Sequence, residues 1–162
     1  MFGVIGNPIA HSLSPIIHNS LFSYFSLPYH YEKFLLTNHQ DFPSLLSNLH
    51  GANITLPYKE VAIKYCDEAR GVAKEIGAIN TLYHQNNHWI GYNTDAEGFY
   101  LSLDGSESRN ALILGAGGSA RAVCAILQKH NIEVSMLNRS AHKIATFVGV
   151  KPYERGEKYD LV

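Results

Sequence analysis

The sequence predicts an α/β protein in two parts, each built on a mainly parallel sheet. Three observations carry that expectation. Short β-rich apolar runs alternate with stretches whose apolar residues recur at helical spacing, the pattern of parallel strands joined by crossover helices. A polar stretch, Asp104-Gly105-Ser106-Glu107-Ser108, interrupts the alternation and divides the chain into domains over 1–103 and 104–162. Beyond it a strand, a glycine-led helix and a second strand follow directly.

Taken in order, Phe2 to Gly6 is a short apolar strand, followed by a loop over 7–14. Ser14-Pro15 starts a helix, with Ser14 as the expected cap and Pro15, whose ring fixes φ, at the first helical position. Ile16, Ile17, Leu21, Phe22 and Phe25 then recur at helical spacing. Further strands are expected over 29–36 and 52–56, the latter stopped by Pro57, and helices over 41–49, 58–66 and 69–76. Residues 78–84 and 89–92 flank Gln85-Asn86-Asn87-His88 as a hairpin, and 95–103 is a connecting helix. The second part begins with a strand over 111–114, a helix over 117–130 and a strand over 133–137. Residues 158–162 look like the start of another strand.

Composition narrows the function classes. Of 162 residues, 46% are hydrophobic and 17% charged, an ordinary globular balance that excludes collagen-like and disordered chains. No run of about 18 apolar residues is present to span a membrane. The opening MFGVIGNPIAHSLSP has no basic region ahead of its apolar stretch and does not read as a secretory signal. A net charge of −1 argues against a general nucleic-acid or anionic-membrane binder. The charge is uneven, however: residues 1–104 hold 5 Lys+Arg and 9 Asp+Glu, whereas residues 105–162 hold 8 and 5, so the second part is the one suited to an anion. Two distant cysteines, Cys66 and Cys124, make neither a disulfide framework nor a metal spacing, which fits a cytoplasmic protein. The nine histidines are scattered and no metal is expected. No G-x-S-x-G elbow supports serine hydrolysis.

Gly115-Ala116-Gly117-Gly118-Ser119-Ala120 follows a strand and opens a helix, fitting G-x-G-x-x-G/A with Ala120 in the third position. One glycine makes the tight turn, the next admits a pyrophosphate to the backbone, and a small third residue lets helix and strand pack closely. Helix N–H groups and the helix dipole then hold the phosphates. In this context the pattern predicts a Rossmann-type dinucleotide domain. The end of the next strand selects the cofactor. NAD sites place an acid there, but this sequence has Asn138-Arg139-Ser140, with Lys143 one turn on. Arg139 suits a 2′-phosphate and an adenine face, so NADP(H) is expected over NAD.

Four polar segments in the first part place ligand-type groups where a core would not want them. Ser12 and Ser14 lie in the first loop. Asn53, Thr55 and Pro57 share a strand face by alternation, and Lys59 lies just past the strand's carboxyl end, where α/β sheets bind ligands. Asn80 sits in Gly77-Ala78-Ile79-Asn80-Thr81, and Asp95 ends Gly91-Tyr92-Asn93-Thr94-Asp95. Taken singly, Ser14 and Asp95 read as helix caps.

Together GNPIAHSLSPIIHN, GANITLPYK, GAINT, GYNTDAEG, GAGGSARA and NRS, in this order, resemble the shikimate dehydrogenase family, NADP-dependent enzymes of aromatic amino-acid biosynthesis. The resemblance implies a substrate domain over 1–103 and the N-terminal part of a Rossmann-type NADP domain over 104–162. It assigns shikimate contacts to Ser12, Ser14, Asn53, Thr55, Lys59, Asn80 and Asp95, with Lys59 and Asp95 as the catalytic pair. Cofactor contacts fall on Gly115, Ala116, Gly117, Gly118, Ser119 and Ala120, with Asn138, Arg139, Ser140 and Lys143 around the 2′-phosphate. It implies a cytoplasmic monomer or homodimer that reduces 3-dehydroshikimate to shikimate reversibly.

Only 58 residues follow position 104, fewer than a typical domain, so the second domain is expected to be truncated in this chain. The family's later Tyr and Gln contacts and its returning C-terminal helix have no counterpart here. Two rival readings are a quinate/shikimate dehydrogenase of broader specificity and a ligand-binding fragment without turnover.

Overall fold

The computed structural model describes residues 1–103 and 107–162, which divide into two compact units, Met1–Asn93 and Thr94–Val162. The boundary expected after residue 103 falls one helix later than this division. Of the polar stretch that suggested it, Asp104, Gly105 and Ser106 lie outside the described residues.

The first unit is a six-stranded sheet with helices. Its strands are β1 (Phe2–Gly6), β2 (Tyr31–Leu35), β3 (Gly51–Ile54), β4 (Glu68–Ala69), β5 (Thr81–Gln85) and β6 (His88–Tyr92). They lie in the order β2-β1-β3-β5-β6-β4. β1 runs parallel to both β2 and β3, because each connection crosses over through a helix, α1 (Ser14–Tyr24) or α2 (Phe42–Leu46). The expected hairpin β5–β6 is antiparallel and turns on Asn86 and Asn87, both at positive φ (51° and 61°), as a type I′ turn requires. The sheet is therefore mixed, with β3–β5 and β5–β6 antiparallel and the other pairs parallel.

The two faces of this sheet differ. Ile5, Ile54 and Leu82 point to one side, where Phe42, Leu46 and Leu49 complete the main core. Val4 and Tyr31 point to the other, with Phe2 and Phe22 packed against them. α1 covers this second face yet fully buries none of its residues; Ile16 is 67% and Ile17 58% exposed. The helical periodicity of α1 is legible in the sequence, but of its apolar residues Phe22 packs against the core while Ile16, Ile17 and Leu21 stay exposed.

Several expected elements are shorter. The helix expected over 41–49 splits into a 3-10 turn (His39–Asp41), started by the Asn38 side chain accepting from Gln40 N at 3.0 Å, and α2. The helix expected over 58–66 is a 3-10 turn (Val61–Tyr65). That expected over 69–76 gives up its start to β4 and keeps only α3 (Val72–Ile76). Here pairing overrides propensity: Asp67 N donates to Trp89 O (2.8 Å) and Trp89 N donates to the Asp67 carboxylate (2.7 Å), drawing the segment onto the edge of β6.

The second unit holds α4 (Asp95–Leu101), β7 (Asn110–Leu114), α5 (Gly118–Lys129), β8 (Glu133–Leu137), α6 (Ala141–Ile144) and β9 (Lys151–Pro152). Its three strands are parallel in the order β7-β8-β9. α4 packs on α5, and the Tyr100 ring stacks on His130 at 3.5 Å, so the helix expected to connect the two parts is integral to this unit. The core joins Ala111, Cys124, Leu127, Ile132 and Val134. The strand expected over 158–162 is reduced to a single bridge, Leu161 to Ala111. The Asp160 carboxylate reinforces it by accepting from Arg109 N at 2.8 Å. Among the described residues, no helix is long and apolar enough to cross a membrane.

Candidate functional site

In the first unit the backbone zips the polar segments together at one end of the sheet. Thr55 N donates to Ile5 O (2.9 Å) and Asn7 N to Leu56 O (2.9 Å), joining the loops that follow β1 and β3. Both loops contain a cis peptide, Asn7-Pro8 and Leu56-Pro57. Ile54 N donates to Asn80 O (2.7 Å), Ile79 N to Lys59 O (2.7 Å) and Asn80 N to Tyr92 O (3.0 Å). Asn93 Nδ2 donates to Ala78 O (3.1 Å). Ser12, Asn53 with Lys59, and Asn80 thus arise from three segments that the sheet brings to one place.

Side chains continue the pattern. Ser12 Oγ donates to Ser14 Oγ at 3.2 Å. The Tyr31 phenol donates to Asn53 Oδ1 at 2.6 Å. Asn53 Nδ2 donates to Thr81 Oγ1 (3.3 Å), and Thr81 Oγ1 to Asn80 Oδ1 (2.9 Å). Register makes this possible: Val4, Asn53 and Thr81 are successive Cα partners across β1, β3 and β5, and Tyr31 reaches over from β2. Burial pushes the Tyr31 phenol well above its ordinary range, with Ser14 opposing the shift, so the hydroxyl stays a donor at physiological pH. The His18 ring stacks on Tyr31 at 4.2 Å, and burial lowers the His18 pKa. Beside them a cavity of about 340 Å³ is lined by Phe2, His18, Phe22, Tyr31, Asn53 and Thr81.

Of the expected site residues, Ser12 bonds to Ser14, and a separate hydrogen-bonded chain joins Asn53 and Asn80. Thr55 and Pro57 lie beyond β3, which ends at Ile54, so strand alternation does not extend to them. Lys59 is half-buried on the following turn. Asp95 belongs to the second unit, where it is the first residue of α4. The capping assignments shift by one residue: Leu13 caps α1 and Thr94 caps α4, neither through its side chain, and Ser14 Oγ is engaged with Ser12 instead. Two members of the chain, Tyr31 and Thr81, are not among the residues expected from sequence. Thr81 is visible within GAINT; Tyr31 reads as an ordinary strand aromatic, and only the register places its hydroxyl among polar groups.

In the second unit, Gly115 N donates to Leu137 O at 2.9 Å, setting the glycine turn beside the end of β8 and the Asn138-Arg139-Ser140 segment. Gly115 has φ 118°, a conformation that side chains rarely adopt. Gly117 is the cap residue of α5 with no side-chain capping bond, and a Cβ placed on it would meet nothing within 4 Å. The start of a 12-residue helix is therefore open to a close-approaching group, which fits a pyrophosphate. Asn138 Nδ2 donates to Ser140 O (3.0 Å), shaping the turn that carries Arg139. Arg139 and Lys143 are exposed, as cations awaiting an anionic partner would be. Among the described residues no three His, Cys, Asp or Glu side chains group as a metal site.

Residues 4–82 match the family model of the shikimate dehydrogenase substrate-binding domain. NADP(+)-type shikimate dehydrogenases of Helicobacter hepaticus and Helicobacter pylori are each 51% identical to the chain. These matches cover 99% and 90% of this chain but only 64% and 58% of the relatives. Among solved structures, shikimate dehydrogenase from Aquifex aeolicus superimposes with a TM-score of 0.85 at 36% identity, covering 94% of this chain and 62% of that one. The Thermus thermophilus enzyme, solved with NADP(H) and shikimate, gives 0.84 at 33% identity over the same shares. The chain spans less than two thirds of the length of these relatives, and over that span it is similar to shikimate dehydrogenases.

Proposed function

We propose that the chain serves an NADP-dependent shikimate dehydrogenase, interconverting 3-dehydroshikimate and shikimate. Residues 1–103 are read as the substrate domain and 104–162 as the first part of a Rossmann-type NADP domain. The observation that carries the reading is the hydrogen-bonded chain from Tyr31 through Asn53 and Thr81 to Asn80, which with the bonded pair Ser12 and Ser14 offers oriented donors and acceptors suited to a polyhydroxylated acid. Ser12 and Ser14 take the carboxylate, and Asn53, Thr55 and Asn80 the hydroxyls.

Oxidising the C3 hydroxyl requires its proton to leave. Lys59 Nζ and the Asp95 carboxylate are the pair that holds it, and in the reverse direction the Lys59 ammonium polarises the ketone. Gly115, Ala116, Gly117, Gly118, Ser119 and Ala120 hold the pyrophosphate, while Asn138, Arg139, Ser140 and Lys143 surround the 2′-phosphate. The bound nicotinamide supplies the hydride chemistry. A cytoplasmic location, supported by two unpaired cysteines, and a monomer or homodimer complete the reading.

The test is NADP reduction with shikimate and with quinate, alongside calorimetric titration of shikimate. Reduction with shikimate far exceeding that with quinate is expected; comparable rates would favour a quinate/shikimate enzyme. Binding without turnover would favour a ligand-binding module, and neither binding nor turnover refutes the proposal.

A further inference from the structure

We propose that Tyr31 is a positioning residue of this site: its hydroxyl fixes the Asn53 amide so that an N–H donor, rather than a carbonyl acceptor, is offered to the substrate. The identity of that substrate rests on the function proposed above, but the positioning is a property of the ligand-free protein.

The sense of the chain follows from counting protons. A hydroxyl carries one. Thr81 Oγ1 gives its proton to Asn80 Oδ1 at 2.9 Å and can only accept from Asn53 Nδ2 at 3.3 Å. That turns Asn53 Oδ1 toward Tyr31, which donates to it over 2.6 Å. Ser14 Oγ, in the neighbouring loop, accepts from Ser12 at 3.2 Å. All donors of the chain point from Tyr31 toward Asn80. Asn53 keeps one N–H, so a ligand oxygen that accepts is favoured there.

Tyr31 is held firmly enough to impose this. It is 3% exposed. Asn19 clamps its backbone from α1, with Asn19 Nδ2 donating to Tyr31 O and Tyr31 N donating to Asn19 Oδ1, both at 2.9 Å. His18 stacks on its ring at 8° interplanar angle. The last two residues of the GNPIAHSLSPIIHN motif, which the proposed substrate contacts leave unexplained, thus hold Tyr31 in place.

The experiment compares the full chain with Y31F, N53A and the double variant. Y31F keeps the ring stack and the Asn19 clamp but frees the Asn53 amide to rotate. Shikimate Kd is expected to rise about tenfold in Y31F, the scale of one hydrogen bond. No further rise is expected when Y31F is added to N53A, whereas a general structural loss would persist there. In the ligand-free protein, the two Asn53 side-chain amide protons should be well separated and slow to exchange in the wild type, and lose both properties in Y31F. T81V, which removes the other hold on Asn53, should behave like Y31F and replaces it if Y31F does not fold. Unchanged Asn53 signals, or additive losses, overturn the positioning role. If the wild type does not bind shikimate, the proposed function falls and the ligand-free Asn53 signals still decide this one.

Discussion

The polar sites of the two units follow opposite plans. In Met1–Asn93 the candidate groups are side chains, and those from Tyr31 through Asn53 and Thr81 to Asn80 are hydrogen-bonded to one another before any ligand arrives. In Thr94–Val162 the turn offers backbone and empty space, with exposed cations nearby. The contrast reflects what each would bind. A small polyol acid presents several distinct groups, and telling them apart needs donors and acceptors whose directions are set in advance. A phosphate is compact and strongly charged, so helix N–H groups and long cationic side chains suffice.

The largest expected effect concerns chemistry rather than binding. Lys59→Ala should lower the kcat for shikimate oxidation by about 10³-fold, within the range for a proton-transfer group, while shikimate Kd changes little. Steady-state kinetics with calorimetry would check this, and near-normal turnover would remove Lys59 from the catalytic pair. Next, Gly117→Val should weaken NADP binding on the order of 100-fold, because it fills the space a pyrophosphate needs. Thermal stability should hardly move, since an added Cβ meets nothing within 4 Å. A large fall in Tm with unchanged affinity would contradict the open-turn plan.

Asn53 and Arg139 set one residue of each plan against the other. Asn53→Ala should cost both shikimate affinity and about 1–3 kcal/mol of stability, because it strands Tyr31 and Thr81. Arg139→Ala should raise the NADP Kd roughly tenfold, leave NAD binding alone and leave stability unchanged. Equal stability losses in urea titrations would erase the distinction. The smallest effect is on pH dependence. Burial lowers the His18 pKa, so below about 6.5 the unfolded chain takes up a proton that the folded chain resists. Stability should therefore decline as pH falls from 7 to 5, and His18→Phe should flatten that decline.

Legibility in the sequence tracks how local each determinant is. β1, β7, α5 and β8 announce themselves by apolar runs and a glycine-led helix start, all within a few residues. β4 and β9 do not, because two-residue strands such as Glu68–Ala69 and Lys151–Pro152 are extended only through the neighbours they pair with. The same holds in the site. Ser12, Asn53 and Asn80 stand out as small polar residues in otherwise apolar segments. Tyr31 does not, because its role depends on β2, β1, β3 and β5 lying in one register, which no local pattern encodes. The cap at Ser14 misleads for a related reason: a serine before proline suits a helix start, but here its hydroxyl turns toward Ser12.

If the first unit is a prewired site for shikimate, titrating the ¹⁵N-labelled chain with shikimate tests it most directly. Saturable shifts are expected at Ser12, Ser14, Asn53, Thr55, Thr81 and Asn80, including the Asn53 side-chain amide. Shifts absent from these residues at saturating shikimate, or confined to the second unit, would contradict it.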